Sequence, residues 1–253
     1  MSQTIAVLNQ KGGVGKTTTA INLSAYLQKM GKSVLLVDLD PQGNATSGLG
    51  LNKAAQRGGT YELLLGQIDL TQAIQQLDSS GIYIIPTNAN LAAVEVELVS
   101  QPGREQALKR ALEKAAFDYV IIDCPPALGL LTINALTAAD TMIIPVQAEY
   151  YALEGLGQLL QVFQQVKQHL NPKLEIMGVL VTMYDSRTSL SEQVLTELKK
   201  HFADKLFETV IPRNVRLAEA PSYGEPILQH DKWSKGARAY KQLAKEVVAY
   251  GQN

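Results

Sequence analysis

Three glycines interrupted by one valine and closed by a lysine, Gly12-Gly13-Val14-Gly15-Lys16, separate two segments of opposite character. Ahead of them, Ile5-Ala-Val-Leu8 is an apolar run of strand length. Behind them, residues 17–30 read as a helix, with Gly31 where a helix C-terminal glycine belongs. A strand that turns through glycines directly into a helix aims backbone N–H groups and the positive end of the helix dipole at one point. The whole run, Asn9-Gln-Lys-Gly-Gly-Val-Gly-Lys-Thr-Thr18, therefore reads as a cradle for a phosphate chain. Lys11, Gly12, Gly13, Val14, Gly15, Lys16, Thr17 and Thr18 line it. Lys16 reaches toward β- and γ-phosphates, and Thr17 offers its hydroxyl to Mg²⁺.

The rest of the chain repeats this alternation. Strand-sized apolar runs are predicted at residues 34–37, 82–85 ended by Pro86, 119–122, 141–144 closed by Pro145, and 176–181. Helices are predicted at 104–116, 153–170, 190–202 and 237–250, and residues 42–59 read as loop around a short helix. The strand runs are continuously apolar, the mark of strands buried on both faces. The expected fold is α/β: one doubly wound, mostly parallel sheet with helices on both faces, of the phosphate-loop NTPase type. With 253 residues and no linker or repeat in view, residues 1–253 are read as one domain.

Composition narrows the function. The single cysteine, Cys124, excludes an intrachain disulfide framework and any iron–sulfur or zinc site built from several cysteines of one chain. His169, His201 and His230 lack metal-ligand spacing and read as surface residues. No secretory signal pattern and no apolar run of membrane-spanning length is seen, so a cytoplasmic protein is expected. The net charge of −1 excludes a uniformly basic nucleic-acid binder. The charge is uneven, however: residues 1–186 hold 12 Lys and Arg against 16 Asp and Glu, and residues 187–253 hold 11 against 8.

Two further motifs end strands in carboxylates. Asp38-Leu-Asp40-Pro41 follows the second strand, and Asp123 follows Val120-Ile-Ile122. Carboxylates at the C-terminal edge of a parallel sheet lie beside a phosphate loop on the first strand. Asp40 is read as the residue that orients an attacking water, Asp38 as support for the Mg²⁺ shell, and Asp123 as the Mg²⁺ carboxylate, acting through a water. The loop departs from the G-x-x-x-x-G-K-[ST] pattern at one place: Gln10 stands where glycine is expected, and Lys11 follows it. Two lysines inside one loop repel unless an anion neutralises both. No arginine finger is visible, and Lys11 is the cation that can replace it. No NKxD-type guanine signature occurs, which favours ATP over GTP.

Lys11-Gly-Gly-Val-Gly-Lys-Thr17 resembles the deviant Walker A loop of the ParA/MinD superfamily, most of all its Soj-like partition proteins. The resemblance extends through Val37-Asp-Leu-Asp-Pro-Gln-Gly-Asn-Ala45, Ile122-Asp-Cys-Pro-Pro126, Glu149-Tyr-Tyr-Ala-Leu-Glu-Gly155 and Ile211-Pro-Arg-Asn-Val-Arg216, nearly the whole chain. It implies an ATP hydrolase whose Mg²⁺–ATP form is a sandwich homodimer, with Lys11 reaching the ATP of the facing subunit. It implies that Pro212 and Asn214 line the adenine, and that Arg187 and Arg216 bind double-stranded DNA without sequence preference. A ParB-like partner stimulating turnover is implied too, as is a nucleoid-associated location and a cargo such as a chromosome origin, a plasmid or another large complex. The alternative is a MinD-like ATPase that cycles on membranes through a basic amphipathic C-terminal helix. Here Lys241, Lys245 and Glu246 alternate with Leu243, Val247 and Val248, the pattern of a helix that packs on its own domain, and no membrane binding is expected.

Overall fold

The computed structural model describes residues 2–77, 80–149 and 154–251. Seven strands form one sheet: β1 Gln3–Val7, β2 Val34–Asp38, β3 Gln75–Gln76, β4 Tyr83–Ile85, β5 Tyr119–Asp123, β6 Thr141–Gln147 and β7 Glu175–Thr182. Their order is β3-β4-β2-β5-β1-β6-β7. Every neighbouring pair is parallel except β3–β4, a two-residue antiparallel edge. The expected doubly wound α/β sheet is the one observed.

The unbroken apolar runs conceal a period of two. Ala6, Leu35, Val37, Val120 and Ile122 face one core, covered by helices Leu130–Ala138, Glu154–His169 and Ser189–Phe202. Ile5, Val7, Val34, Leu36 and Ile121 face the other, covered by helices Lys16–Lys29 and Lys235–Tyr250. The last helix buries Ala237, Tyr240, Leu243, Ala244 and Val247 completely or nearly so. Each of the larger of these side chains contributes about 1.5–3 kcal/mol by leaving water. The apolar face that a lipid-binding helix would offer is thus spent inside the fold. Among the described residues, no helix is long and apolar enough to cross a membrane.

Two local expectations need correction, and two features were not foreseen. Pro145 does not close β6, which runs on to Gln147. The Ile143 carbonyl accepts from Leu8 N–H on the β1 side, and the Pro145 carbonyl, pointing the same way, accepts from the Asn9 side chain at 2.7 Å. The missing N–H of Pro145 therefore faces the end of β1, where the ladder has already stopped. The helix expected over 104–116 is a 3₁₀ turn, Arg104–Gln106, followed by α-helix Ala107–Leu112. Beyond it Phe117 turns inward to meet Tyr83 edge to face. Helix Leu130–Ala138 was not foreseen. It is apolar nearly all round, so no amphipathic period announces it, and its buried Asn134 is satisfied by Leu108 N–H and the carbonyls of Arg104 and Leu130.

Residues 206–213, which return beside β7 after helix Ser189–Phe202, were also not foreseen. They seal its outer edge through isolated bridges, Val179 with Leu206 and Tyr184 with Pro212. Phe207 N–H donates to Val179, Ile211 N–H to Val181 and Arg213 N–H to Tyr184. The predicted start of the 153–170 helix and residues 150–153 of the Glu149–Gly155 motif lie outside the described residues.

Candidate nucleotide-binding site

The loop after β1 turns on left-handed glycines, Gly13 at φ 74° and Gly15 at φ 89°. Gly15 is the N-cap of helix Lys16–Lys29. Residues with a Cβ pay for this conformation, which glycine adopts freely. Asn9 anchors the loop's start: its amide donates to Pro145, and its carbonyl oxygen accepts Lys11 N–H at 3.0 Å. Thr182, at the end of β7, anchors its middle. The Thr182 hydroxyl donates to the Val14 carbonyl at 2.8 Å. The first strand, its loop and the strand two places away in the sheet thus hold the cradle rigid.

Lys16 is buried, and its Nζ donates to the Lys11 carbonyl at 3.1 Å. Burial lowers its pKa, while the charges of Asp123 and Asp40 oppose that fall. Lys11 sits differently, on the rim. Its Nζ pairs with Glu149 at 3.2 Å, with the two side chains 38% and 44% exposed. Glu149 also accepts from the Gln147 amide. Glu149 belongs to a quoted motif, but no sequence signal ties it to a residue 138 positions earlier.

The sheet brings the carboxylates together. Asp38 and Asp123 are direct register partners on β2 and β5, and both are fully buried. Asp38 is occupied: one oxygen accepts from Thr46 N–H and Thr46 hydroxyl at 2.7 and 2.6 Å, and the other accepts from Asp40 N–H at 3.3 Å. Thr46 in turn accepts Thr87 N–H. Thr46 escapes sequence reading because it lies in a run of small residues with no period. Asp40 accepts Gln42 N–H at 2.9 Å and is nearly buried.

Asp123 is the outlier. Neither of its oxygens makes a hydrogen bond. Burial raises its pKa far above the usual carboxylate range, and the neighbouring Asp38 adds to this, while the Thr17 hydroxyl and Lys16 work against it. A buried, unpartnered carboxyl beside a threonine hydroxyl fits a hydrated divalent cation. Among the described residues no cluster of three or more His, Cys, Asp or Glu could hold a metal by itself, so phosphate oxygens must complete such a site.

Burial raises Asp38 to about 6, with its hydrogen bonds to Thr46 and Asp40 opposing the rise. Both carboxyls therefore keep protons in the folded protein over a range where the unfolded chain, with Asp near 3.9, has lost them. Stability from this pair is present at low pH and lost as pH rises from about 4 through 6 and beyond. The decline follows because the folded pair binds more protons than the unfolded chain over that range. Urea unfolding of the nucleotide-free protein between pH 4 and 8 checks this. Asp38→Asn should flatten the decline, and an unchanged decline would show that Asp38 is not its source.

Beside the loop lies a cavity of about 210 Å³ lined by Gly15, Thr182, Met183, Pro212, Asn214 and Tyr240, among others. Met183 holds a positive φ of 50°, a strained conformation at the cavity wall. The Tyr240 and Thr19 hydroxyls hydrogen-bond at 3.1 Å beneath it. Pro212 and Asn214 stand in the same wall, and the Asn214 side chain caps helix Val215–Glu219 by accepting Leu217 N–H. Arg187 and Arg216 are exposed and do not line this cavity. Arg187 is 85% exposed and grips Asp185 through Nε and Nη2 at 2.9 and 2.7 Å. Arg216 pairs with Glu219 at 2.9 Å and lies 3.7 Å from Asp231.

A glycine loop between β1 and a helix, a buried lysine at its end and two strand-end carboxylates across the sheet define a phosphate-loop nucleotide-binding protein. Residues 2–176 match the AAA domain family. Over its length the chain is 57% identical to the sporulation initiation inhibitor protein Soj of Bacillus subtilis, covering 99% of this chain and 100% of that one. It is 49% identical to the chromosome partitioning protein ParA of Caulobacter vibrioides, covering 97% and 93%. A solved structure of cobyrinic acid a,c-diamide synthase from Mycobacterium smegmatis, with bound ATP analog and magnesium, superposes with a TM-score of 0.86 at 41% identity, covering 100% and 97%. The chain belongs to the ParA/MinD superfamily, in its Soj-like branch.

Proposed function

We propose that the protein is a partition ATPase, a single domain that hydrolyses Mg²⁺–ATP and uses the nucleotide to switch between a monomer and a DNA-bound homodimer. The observation that carries this reading is the pair of loop lysines in two environments: Lys16 buried against Asp123 and Asp40, and Lys11 on the rim. In this reading Gly12, Gly13, Val14, Gly15, Thr17 and Thr18 bind the phosphates through backbone N–H groups and hydroxyls. Thr17, and Asp123 through a water, hold Mg²⁺, which neutralises charge on the β- and γ-oxygens. Asp38 supports that shell from beside Asp123, and its bonds to Thr46 and Asp40 fix the Asp40 segment. Asp40 orients the attacking water. Pro212 and Asn214 hold the adenine, and Lys11 reaches the triphosphate of the facing subunit.

The homodimer joins two copies of the positive C-terminal quarter into one surface. Arg187 and Arg216 there contact phosphates of double-stranded DNA without reading sequence. A ParB-like partner stimulates hydrolysis and release, in the nucleoid region of the cytoplasm. A thiolate nucleophile has no part in this reading. Cys124, the one cysteine, is fully buried and burial pushes its thiol up. Membrane cycling has no support, because the apolar side of helix Lys235–Tyr250 is already covered.

A mobility-shift titration with ATP or ADP at several salt concentrations tests the DNA step. Binding is expected with ATP only. Each phosphate contact contributes about −0.9 to the logarithmic salt slope, and a dimer holds two copies of each arginine. Arg187→Ala and Arg216→Ala should therefore each make the slope shallower by about 2. Equal binding with ADP, or unchanged slopes in both variants, would remove these arginines from the interface.

A further inference from the structure

Trp233 is the one tryptophan of the chain, and it is 78% exposed. Isolated apolar residues on a surface are ordinary, but this one is tied to a charged cluster. Asp231 accepts Trp233 N–H at 3.1 Å with one carboxylate oxygen, and its other oxygen lies 3.7 Å from Arg216 Nε. The residue that orders the backbone under the indole is therefore the one that faces Arg216. Lys232 Nζ lies 5.2 Å from the centre of the indole ring. Lys235 opens the C-terminal helix two residues after Trp233, capped by Ser234, and Arg238 follows. The acids facing this patch, Glu219 and Asp231, are the same two that Arg216 engages.

We infer that Trp233 is a contact of the DNA surface, its ring laid along the sugar–phosphate backbone between Lys232 and Lys235 and continuous with Arg216. The inference rests on the DNA-binding reading given above. The occupant is a polyanion because residues 231–238, the segment that carries the indole, hold Lys232, Lys235 and Arg238 against Asp231 alone. A lipid surface fits less well, since the neighbouring helix keeps its apolar side inside the fold. Trp and Arg are also the side chains that most often carry the energy of an interface.

The lone indole provides its own reporter. Titrating the full-length protein with a short duplex in the presence of ATP is expected to change the tryptophan emission, and titration with ADP present is not. Trp233→Ala should weaken duplex binding about thirtyfold, the threshold of an interface hot spot. Because it removes no charge, it should leave the salt slope unchanged, whereas Lys232→Ala should make the slope shallower. Trp233→Phe, keeping an aromatic face, should recover most of the affinity. If the arginine variants lose affinity while Trp233→Ala binds as the parent does, this inference fails and the DNA reading stands. If the parent protein binds no duplex with ATP, both fail. An emission change with phosphatidylglycerol vesicles but not with duplex would assign the patch to lipid and overturn the inference.

Discussion

Asp40→Ala should bind Mg²⁺–ATP and dimerise, yet hydrolyse ATP at least about a hundredfold more slowly than the parent protein. The magnitude is that of losing a positioned acid–base or water-orienting group, roughly 10²–10⁴. The structure offers no substitute close by. Asp38 is committed to Thr46 and to Asp40 N–H, and Asp123 lies at the foot of the site beside Thr17. The Asp40 side chain is held by Gln42 N–H alone among the described hydrogen bonds, so its removal leaves the phosphate loop intact. Single-turnover hydrolysis with duplex and partner present reads the effect. A parent-like rate would reject Asp40 as the residue that orients water.

The two loop lysines should separate binding from association. Lys16→Ala removes a buried cation whose environment already includes Asp123 and Asp40. Charge-assisted hydrogen bonds are worth about 1.5–3 kcal/mol each. A tenfold to hundredfold loss of ATP affinity is therefore expected, larger if both the β- and γ-phosphate contacts go. Lys11→Ala should bind ATP nearly as the parent does and fail to dimerise. Its pairing with Glu149 is half exposed, and such pairs are worth about 0–1 kcal/mol. Exchanging Glu149 for a triphosphate across an interface thus costs little. Sedimentation with ATP distinguishes the variants: a Lys11→Ala dimer of normal stability would end the reading in which this lysine acts on the facing subunit.

The parts of the site that sequence reading located are those whose geometry is local. The phosphate loop is legible because strand, glycines and helix follow one another within about fifteen residues. Asp123 is legible because an apolar run that stops at a carboxylate can end at one edge of a parallel sheet. The contacts that close across long stretches of chain were not. Nothing in the sequence pairs Glu149 with Lys11, or Thr182 with Val14. Thr46 reaches Asp38 over eight residues from the short helix Asn44–Gly48. Pro145 misled for a related reason: whether a strand tolerates proline depends on which neighbour still runs beside it, a property of the sheet and not of the local sequence.

The segment over 206–213 that seals β7 also decides how the protein behaves in a crowd. An open strand edge is a template on which other chains can polymerise, and the hazard grows with local concentration. Under the proposed function, binding along a DNA duplex raises that local concentration. Here one rim of the sheet is a strand of only two residues, Gln75–Gln76, and the other is closed by the run that also carries Pro212 to the cavity wall. Substitutions that loosen that run, such as proline at Ile211, whose N–H bonds Val181, would expose the rim and the nucleotide pocket together. Solubility and ligand retention should then decline in step, which couples quality control of the fold to the competence of the site.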